Sequence, residues 1–457
     1  MASFQLTTHE KIAKATEKCE LKVQAVPFTR RNNVNAVWSI AFSPDRSRFA
    51  WSSGNRRVQI LPWNALKNLP IADPANLIVP DNNNNDHQQE DHRAEDSDND
   101  ERMSCDGGSL DGEYSDGEAE WIQPKTIECG DIVLSLAFGS SLPHKKLRTS
   151  NVKYRMYDHS NTKLMLAIGL KSGKIKTYDI GKDATLHLMD HKDGIREMAF
   201  NPDGSLMLVS ASADHTLKVW DMKDDGNMVK TLREHQKPVI SCSFSPNGKV
   251  MASVGSNKMA ILWDMTSSIT LIHRLIGHHH DIVGCHFSTD GALLATASWD
   301  ARVCVWDPYT GEVLQQLHHV FPPLPTVFAG GANNNFVRGV AFSPDGSHIA
   351  TVCDDKYVRF WSLWETSDPE VVYPLENALA CTYSPDGAVL AAGTRCGQVK
   401  FLEAPMKVNK LQHMCRLSIR RMVQDTRELP GLRGYLPGEM LRYLAYKDIY
   451  TEYEEEV

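Results

Sequence analysis

One turn signature returns six times along the chain, and that repetition constrains the fold more than any other feature. It reads Phe42-Ser-Pro-Asp45, Phe200-Asn-Pro-Asp-Gly204, Phe244-Ser-Pro-Asn-Gly248, Phe287-Ser-Thr-Asp-Gly291, Phe342-Ser-Pro-Asp-Gly346 and Tyr383-Ser-Pro-Asp-Gly387. From Phe200 onward the copies are 44, 43, 55 and 41 residues apart. Each lies between two runs of alternating apolar residues. Pro fixes φ, Asp bonds its own backbone and Gly accepts a positive φ, so the signature is a hairpin turn. A second mark follows it: Trp220-Asp221, Trp263-Asp264 and Trp306-Asp307, with Tyr178-Asp179 and Trp361-Ser362 as variants. A third mark, His191, His235 and His278, precedes the first three Trp by 29, 28 and 28 residues.

This set of marks at a period near 43 resembles the WD-repeat family, whose units are four-stranded propeller blades. The resemblance implies an all-β, seven-bladed propeller with cores at 37–63, 131–180, 190–222, 234–265, 277–308, 334–363 and 375–405. The weak boundary of the last repeat leaves an eighth blade open. In that family a His, a Ser or Thr, a turn Asp and a Trp form a hydrogen-bond chain within a blade. His191, Ser212, Asp214 and Trp220 match it, as do His278, Ser298, Asp300 and Trp306. The repeat ending at Trp263 has Gly255 and Asn257 at the middle positions, so its chain is expected to be broken. Leu61, Tyr178 and Leu402 stand at the Trp position of the more degenerate repeats. Such chains specify a fold rather than a reaction. Closure needs an outer strand for the last blade, and Leu21-Lys-Val-Gln-Ala-Val-Pro-Phe28 is expected to supply it. The chain then divides into an N-terminal segment (1–20), the propeller (21–405) and a C-terminal helical segment (406–457).

Charge separates one stretch from the rest. The 49 Lys+Arg and 57 Asp+Glu give a net of −8, yet 81–120 alone holds 15 acids and two Arg. The remainder is mildly basic, which is no case for nucleic acid. The acidic insert, about 75–120, is too poor in apolar residues to offset its ordering entropy and is expected to be disordered. It reads as a tolerated loop or as an arm for a basic partner. Ser97 and Ser115 sit among acids that suit an acidophilic kinase.

Several function classes find no support. No run of about 18 apolar residues predicts a membrane span, and Met1 to Leu21 has no apolar core of a secretory signal. The ten cysteines form no CxxC pair, and several sit in strand-like runs, which predicts reduced thiols in an intracellular, cytoplasmic setting with nuclear entry open. Gly277-His-His-His-Asp281 is expected to be structural, since neighbouring side chains in an extended segment diverge. No phosphate loop, GxSxG or HExxH is present, so neither an enzyme nor a cofactor is predicted.

After Pro405 the period changes. Leu411, Cys415, Ile419 and Met422 fall on one helical face, and Arg416, Arg420 and Arg421 lie away from it. Leu436-Pro437 opens a second helix with Met440, Leu441 and Leu444 as its apolar stripe. Such a short segment is a poor independent core, so these faces must pack on the ring or on another protein.

These residues resemble the SOCS box. The resemblance implies that Leu411, Cys415 and Ile419 bind elongin C, with Leu411 in a pocket and the small Cys415 allowing close approach. It implies that Leu436, Pro437, Met440, Tyr443 and Leu444 contact a cullin. Lys410 and Gly434-Tyr435 depart from the usual pattern, and Leu429-Pro430 offers a rival alignment. Ring and box together resemble the WD repeat and SOCS box-containing family over nearly the whole chain, in stretches such as Ser135-Leu-Ala-Phe-Gly-Ser-Ser141 and Phe328-Ala-Gly-Gly-Ala-Asn333; the acidic insert does not match. The family likeness implies a substrate-recognition subunit of a ubiquitin ligase, bound to elongin B, elongin C, a cullin of the cullin-five type with its RING subunit, and a target protein destined for degradation. The rival from another class is a plain scaffold whose tail packs back on the ring.

Overall fold

The computed structural model describes residues 13–14, 17–22, 36–54, 56–63, 124–142, 163–266, 268–319, 336–364, 368–405, 411–423, 426–432 and 435–448. The acidic insert, Ser97 and Ser115 lie outside the described residues, as do 143–162, 320–335 and Arg421's side chain.

The alternating runs form antiparallel strands, and the signature turns join the first strand of a blade to its second. In blade 3 the strands are Ile195–Phe200, Met207–Ser212, Leu217–Asp221 and Asn227–Leu232, hydrogen-bonded in that order. Seven such sheets form, so the count is seven and not eight. The first strands succeed one another around the axis, and apolar side chains fill the space between neighbouring blades. Val254, Leu262 and Ile282, for example, share one buried cluster across blades 4 and 5. Because strand direction alternates, the turns joining strands one and two, and three and four, lie on one face of the ring. We call it the turn face. The loops joining strands two and three, and those joining blades, lie on the opposite face.

The last blade takes three strands from Ala378–Tyr383, Val389–Thr394 and Gln398–Glu403, and its outer strand from Glu17–Lys22. Glu17 pairs with Leu402, Cys19 with Phe401 and Leu21 with Val399. The ring therefore closes with an N-terminal strand that begins four residues before the expected Leu21–Phe28 stretch, of which residues 23–28 lie outside the described residues. An outermost strand is an edge, and the sequence Glu-Lys-Cys-Glu-Leu-Lys carries charge that an edge position tolerates. Ala13–Lys14 adds a short parallel pairing to Val371 and Val372 of blade 6. Residues 13–14 and 17–22 thus pair with the ring. Phe49, Trp51 and Trp63 of blade 1 pack on Val389 and Phe401 of blade 7 and seal the joint from within. Phe49 and Phe401 ring centroids lie 5.3 Å apart.

Deleting residues 1–22 is expected to strip the outer strand and bare the edge at 398–402. At ~1 kcal/mol per ladder hydrogen bond the loss is roughly 3–5 kcal/mol. Thermal unfolding and light scattering check it: the midpoint should fall and the protein should self-associate.

Beyond the ring come helix α1 (Leu411–Met422), a 3-10 helix (Thr426–Leu432) and helix α2 (Gly438–Leu444).

Candidate functional site

Two constellations came out of the sequence, the blade chains and the C-terminal helices. They turn out to be different in kind.

In blade 3, Trp220 Nε1 donates to Ser210 Oγ at 2.9 Å, Ser210 Oγ lies 2.7 Å from His191 Nε2, and His191 Nδ1 lies 2.8 Å from Asp214. Blade 5 repeats this through Trp306, Thr296, His278 and Asp300, at 2.8, 2.8 and 2.9 Å. The hydroxyl member is therefore Ser210 and Thr296, not Ser212 and Ser298. Register explains the correction. Trp220 pairs with Leu208 and Trp306 with Leu294, so each indole reaches one same-face step along, to 210 and 296. Ser212 and Ser298 lie two steps away and donate instead to the carbonyls of Asp193 and His280.

Blade 4 is less broken than expected. Trp263 Nε1 donates to Ser253 Oγ at 2.9 Å, and His235 Nε2 lies 2.8 Å from it. Only the Asp link is missing: Asn257 lies beside His235 Nδ1 without closing a bond of normal geometry. Blade 6 holds a chain the sequence hid, Trp361 to Thr351 to His319, at 2.9 Å in both steps. The loop after Leu317 displaced His319 from the usual spacing. Burial lowers His235 to about 4 and His319 to about 3, so both are neutral hydrogen-bonding groups. Burial alone would raise Asp300; the His278 hydrogen bond and charge, the His279 N–H and Arg302 outweigh it and bring the carboxyl down to about 2. Restoring the missing link with Asn257→Asp is expected to stabilise blade 4 by ~1 kcal/mol at neutral pH, read as a higher denaturant midpoint.

These chains are buried and hold strands together; those of blades 3 and 5 are bonded at both ring nitrogens of the His, while His235 and His319 are bonded only through Nε2. Burial also holds the thiols of Cys285, Cys304, Cys353 and Cys381 up at about 12, too high for a nucleophile. Among the described residues no group of His, Cys, Asp or Glu is arranged to hold a metal.

The C-terminal helices are built otherwise. Helix α1 carries two opposed stripes. Leu411 (76% exposed), Met414, Cys415 and Met422 (77%) face outward. His413, Arg416, Leu417 and Arg420, spaced i, i+3, i+4 and i+7, are buried. Arg416 and Arg420 do lie away from the Leu411 face, but against protein rather than in water. Ile419 is half-buried and packs with Leu429, Leu441 and Leu444, the small core of the segment. Of the residues matched to the cullin element, Pro437 and Met440 are exposed, Leu436 and Tyr443 are half-buried, and Leu444 is sealed at 1%. Leu429 of the rival Leu429-Pro430 alignment is also sealed, inside the 3-10 helix.

The buried stripe meets the turn face at blades 5 and 6. His413 Nε2 donates to the Asp345 carbonyl at 3.1 Å. Gly346, at φ +71°, lies against α1, where a Cβ would make an ordinary contact with Leu417 at 3.6 Å. Tyr446 Oη donates to Asp290 at 2.6 Å, and Lys447 pairs with Glu312 at 3.1 Å. The Arg416 guanidinium lies 4.7 Å from the Trp364 ring centroid, 3.3 Å from Tyr443 and 4.3 Å from Tyr446, and pairs with Asp448. No spacing rule could have found this cage, since Trp364 comes from blade 6.

The ring contact therefore leaves Leu411 and Cys415 free, the opposite of a tail folded back over its own apolar stripe. Among the described residues no helix is long and apolar enough to cross a membrane.

Comparison with known proteins agrees with both halves. The WD domain, G-beta repeat family model matches residues 183–221, 226–264, 269–307 and 324–362. These ranges include the outer strand of blade 2 but not the Trp positions of blades 1, 2 and 7, which hold Leu61, Tyr178 and Leu402. The chain is similar to the human protein named WD repeat and SOCS box-containing protein 1, at 46% identity over 98% of this chain and all of that one. The Danio rerio protein of that name is also 46% identical and the Xenopus tropicalis one 45%, at the same coverage.

Proposed function

Since the chain belongs to the WD repeat and SOCS box-containing protein family, we propose that it is the target-recognition subunit of an elongin–cullin ubiquitin ligase. The SOCS box docks on elongin B/C and then on a cullin of the cullin-five type. The propeller holds the target protein. The chain performs no chemistry of its own. It raises the local concentration of target lysines at a ubiquitin-loaded conjugating enzyme carried by the RING subunit, which is a proximity effect, and the outcome is target degradation.

One observation carries the reading: α1 is fixed to the ring by one stripe and presents Leu411, Met414, Cys415 and Met422 to solvent on the other. An outward apolar stripe on an anchored helix is a surface prepared for a partner. Leu411 would fill a pocket on elongin C, Cys415 would allow close helix approach, and Ile419, half-buried at the edge, would finish the contact. Pro437 and Met440 are the outward residues left for the cullin, with Leu436 and Tyr443 beside them and Leu444 holding α2 in place.

Mixing the full-length chain with purified elongin B/C tests it. Size-exclusion chromatography with light scattering should show a stable ternary complex, and adding cullin, RING subunit, activating and conjugating enzymes should transfer ubiquitin. Absence of a complex at micromolar concentrations leaves the scaffold reading in possession.

A further inference from the structure

We propose that Trp364 is a positioning residue for ubiquitin transfer: with His413, Arg416 and Tyr446 it forms a joint that holds the SOCS box at one angle to the propeller. The inference rests on the ligase reading above and adds how the arm is aimed.

The box is too small to aim itself. Among the described residues its own core has three buried members, Leu429, Leu441 and Leu444, and a domain joined only by a short chain segment is free to swing. The ring supplies what the box lacks. Trp364, on the loop between strands three and four of blade 6, stands edge-on to His413 at 5.1 Å and 66°, and lies nearly parallel to Tyr446 at 6.2 Å and 12°. Arg416 closes the group. It is fully buried, and its Nε and Nη1 find no acceptor among the described residues, so ring faces and Asp448 hold the cation.

The anchors are not collinear. Asp345 and Trp364 belong to blade 6, while Asp290 and Glu312 belong to blade 5. Contacts spread over two blades resist twisting as well as swinging. Tyr446 shows that the fit is enforced: it holds φ at 56°, a conformation a bulky side chain rarely adopts, and in it the hydroxyl reaches Asp290. None of these residues belongs to the outward stripe. The joint and the elongin surface can therefore be changed separately.

A held arm matters because transfer depends on lysines meeting the conjugating enzyme. A rigid joint confines ubiquitin to the few lysines that face it; a loose one spreads modification.

The experiment reads geometry first. Spin labels are attached through a ketone-bearing amino acid at Lys258 on the ring and Arg442 on α2, both exposed. The interlabel distance distribution is measured in the free chain and in the elongin B/C complex. One narrow peak is expected in both. Trp364→Ala should at least double its width, Trp364→Phe should restore most of the narrowing, and elongin affinity should stay within about twofold. In the reconstituted reaction, mass spectrometry of ubiquitin acceptors on the chain should find few lysines for the parent and a wider spread for Trp364→Ala. An equally narrow peak in Trp364→Ala, or a broad one in the parent, overturns the joint. Failure of the parent to bind elongin B/C removes the ligase reading, and the transfer role with it, whatever the widths.

Discussion

Leu411→Asp is expected to cut affinity for elongin B/C by roughly 100-fold or more while leaving the unfolding midpoint of the chain where it was. The two halves of that expectation come from different facts. Leu411 is largely exposed on the free chain, so a charge there disturbs nothing the fold depends on. In the complex the same side chain would be the buried anchor of the contact, and such anchors contribute about 2–4 kcal/mol. Titration calorimetry and a thermal melt, run on one preparation, separate binding from folding. Arg416→Met is the informative contrast. It leaves the outward stripe intact but removes a cation enclosed by three aromatic rings, so it should lower the midpoint of the C-terminal segment. If Leu411→Asp lowers the midpoint as much as Arg416→Met does, the stripe is part of the fold and not a docking face.

The second large effect is in the ring. Trp306→Ala should destabilise blade 5 by about 3–5 kcal/mol, the range for removing a buried aromatic side chain. Trp306 is 1% exposed and shares a cluster with Ile282, Cys285, Leu294 and Tyr309. It also touches Gly277 so closely that a Cβ there would lie 2.8 Å from the indole. Trp306→Phe keeps much of the ring volume but deletes the N–H to Thr296, and should lose about 1–2 kcal/mol. The ratio of the two losses, from denaturant unfolding, divides packing from the hydrogen-bond chain. Equal losses would mean that the chain, not the packing, holds the blade.

Six of the seven blades were legible because turn chemistry is local. Pro-Asp-Gly says where a hairpin turns without knowing what surrounds it. The outward stripe of α1 was legible for the same reason, since 3.6-residue spacing is a property of the helix alone. What escaped was decided across strands or across the molecule. Ser210 and Ser212 are the same residue type on the same face of one strand, and only the pairing of Trp220 with Leu208 chooses between them. His319 was hidden by the length of a loop. The start of the closing strand was misplaced, because position before the first inner strand does not fix the register of the pairing with Gln398–Glu403. Arg416 and Arg420 could be read only as lying away from the Leu411 face; the aromatic cage that buries Arg416 is assembled from Trp364, Tyr443 and Tyr446, which no window of sequence contains together.

The strand order of the last blade also dictates a timetable. Ribosomes make Glu17–Lys22 long before its partner Gln398–Glu403. Throughout vectorial synthesis the earliest strand has no mate, and six blades can form while the circle stays open. A nascent chain stalled before residue 398 would carry an unzipped seam that invites chaperones or neighbouring chains. The strand Gln398–Glu403 precedes the helix that starts at Leu411, so a molecule that exposes α1 already has every strand its ring needs to close.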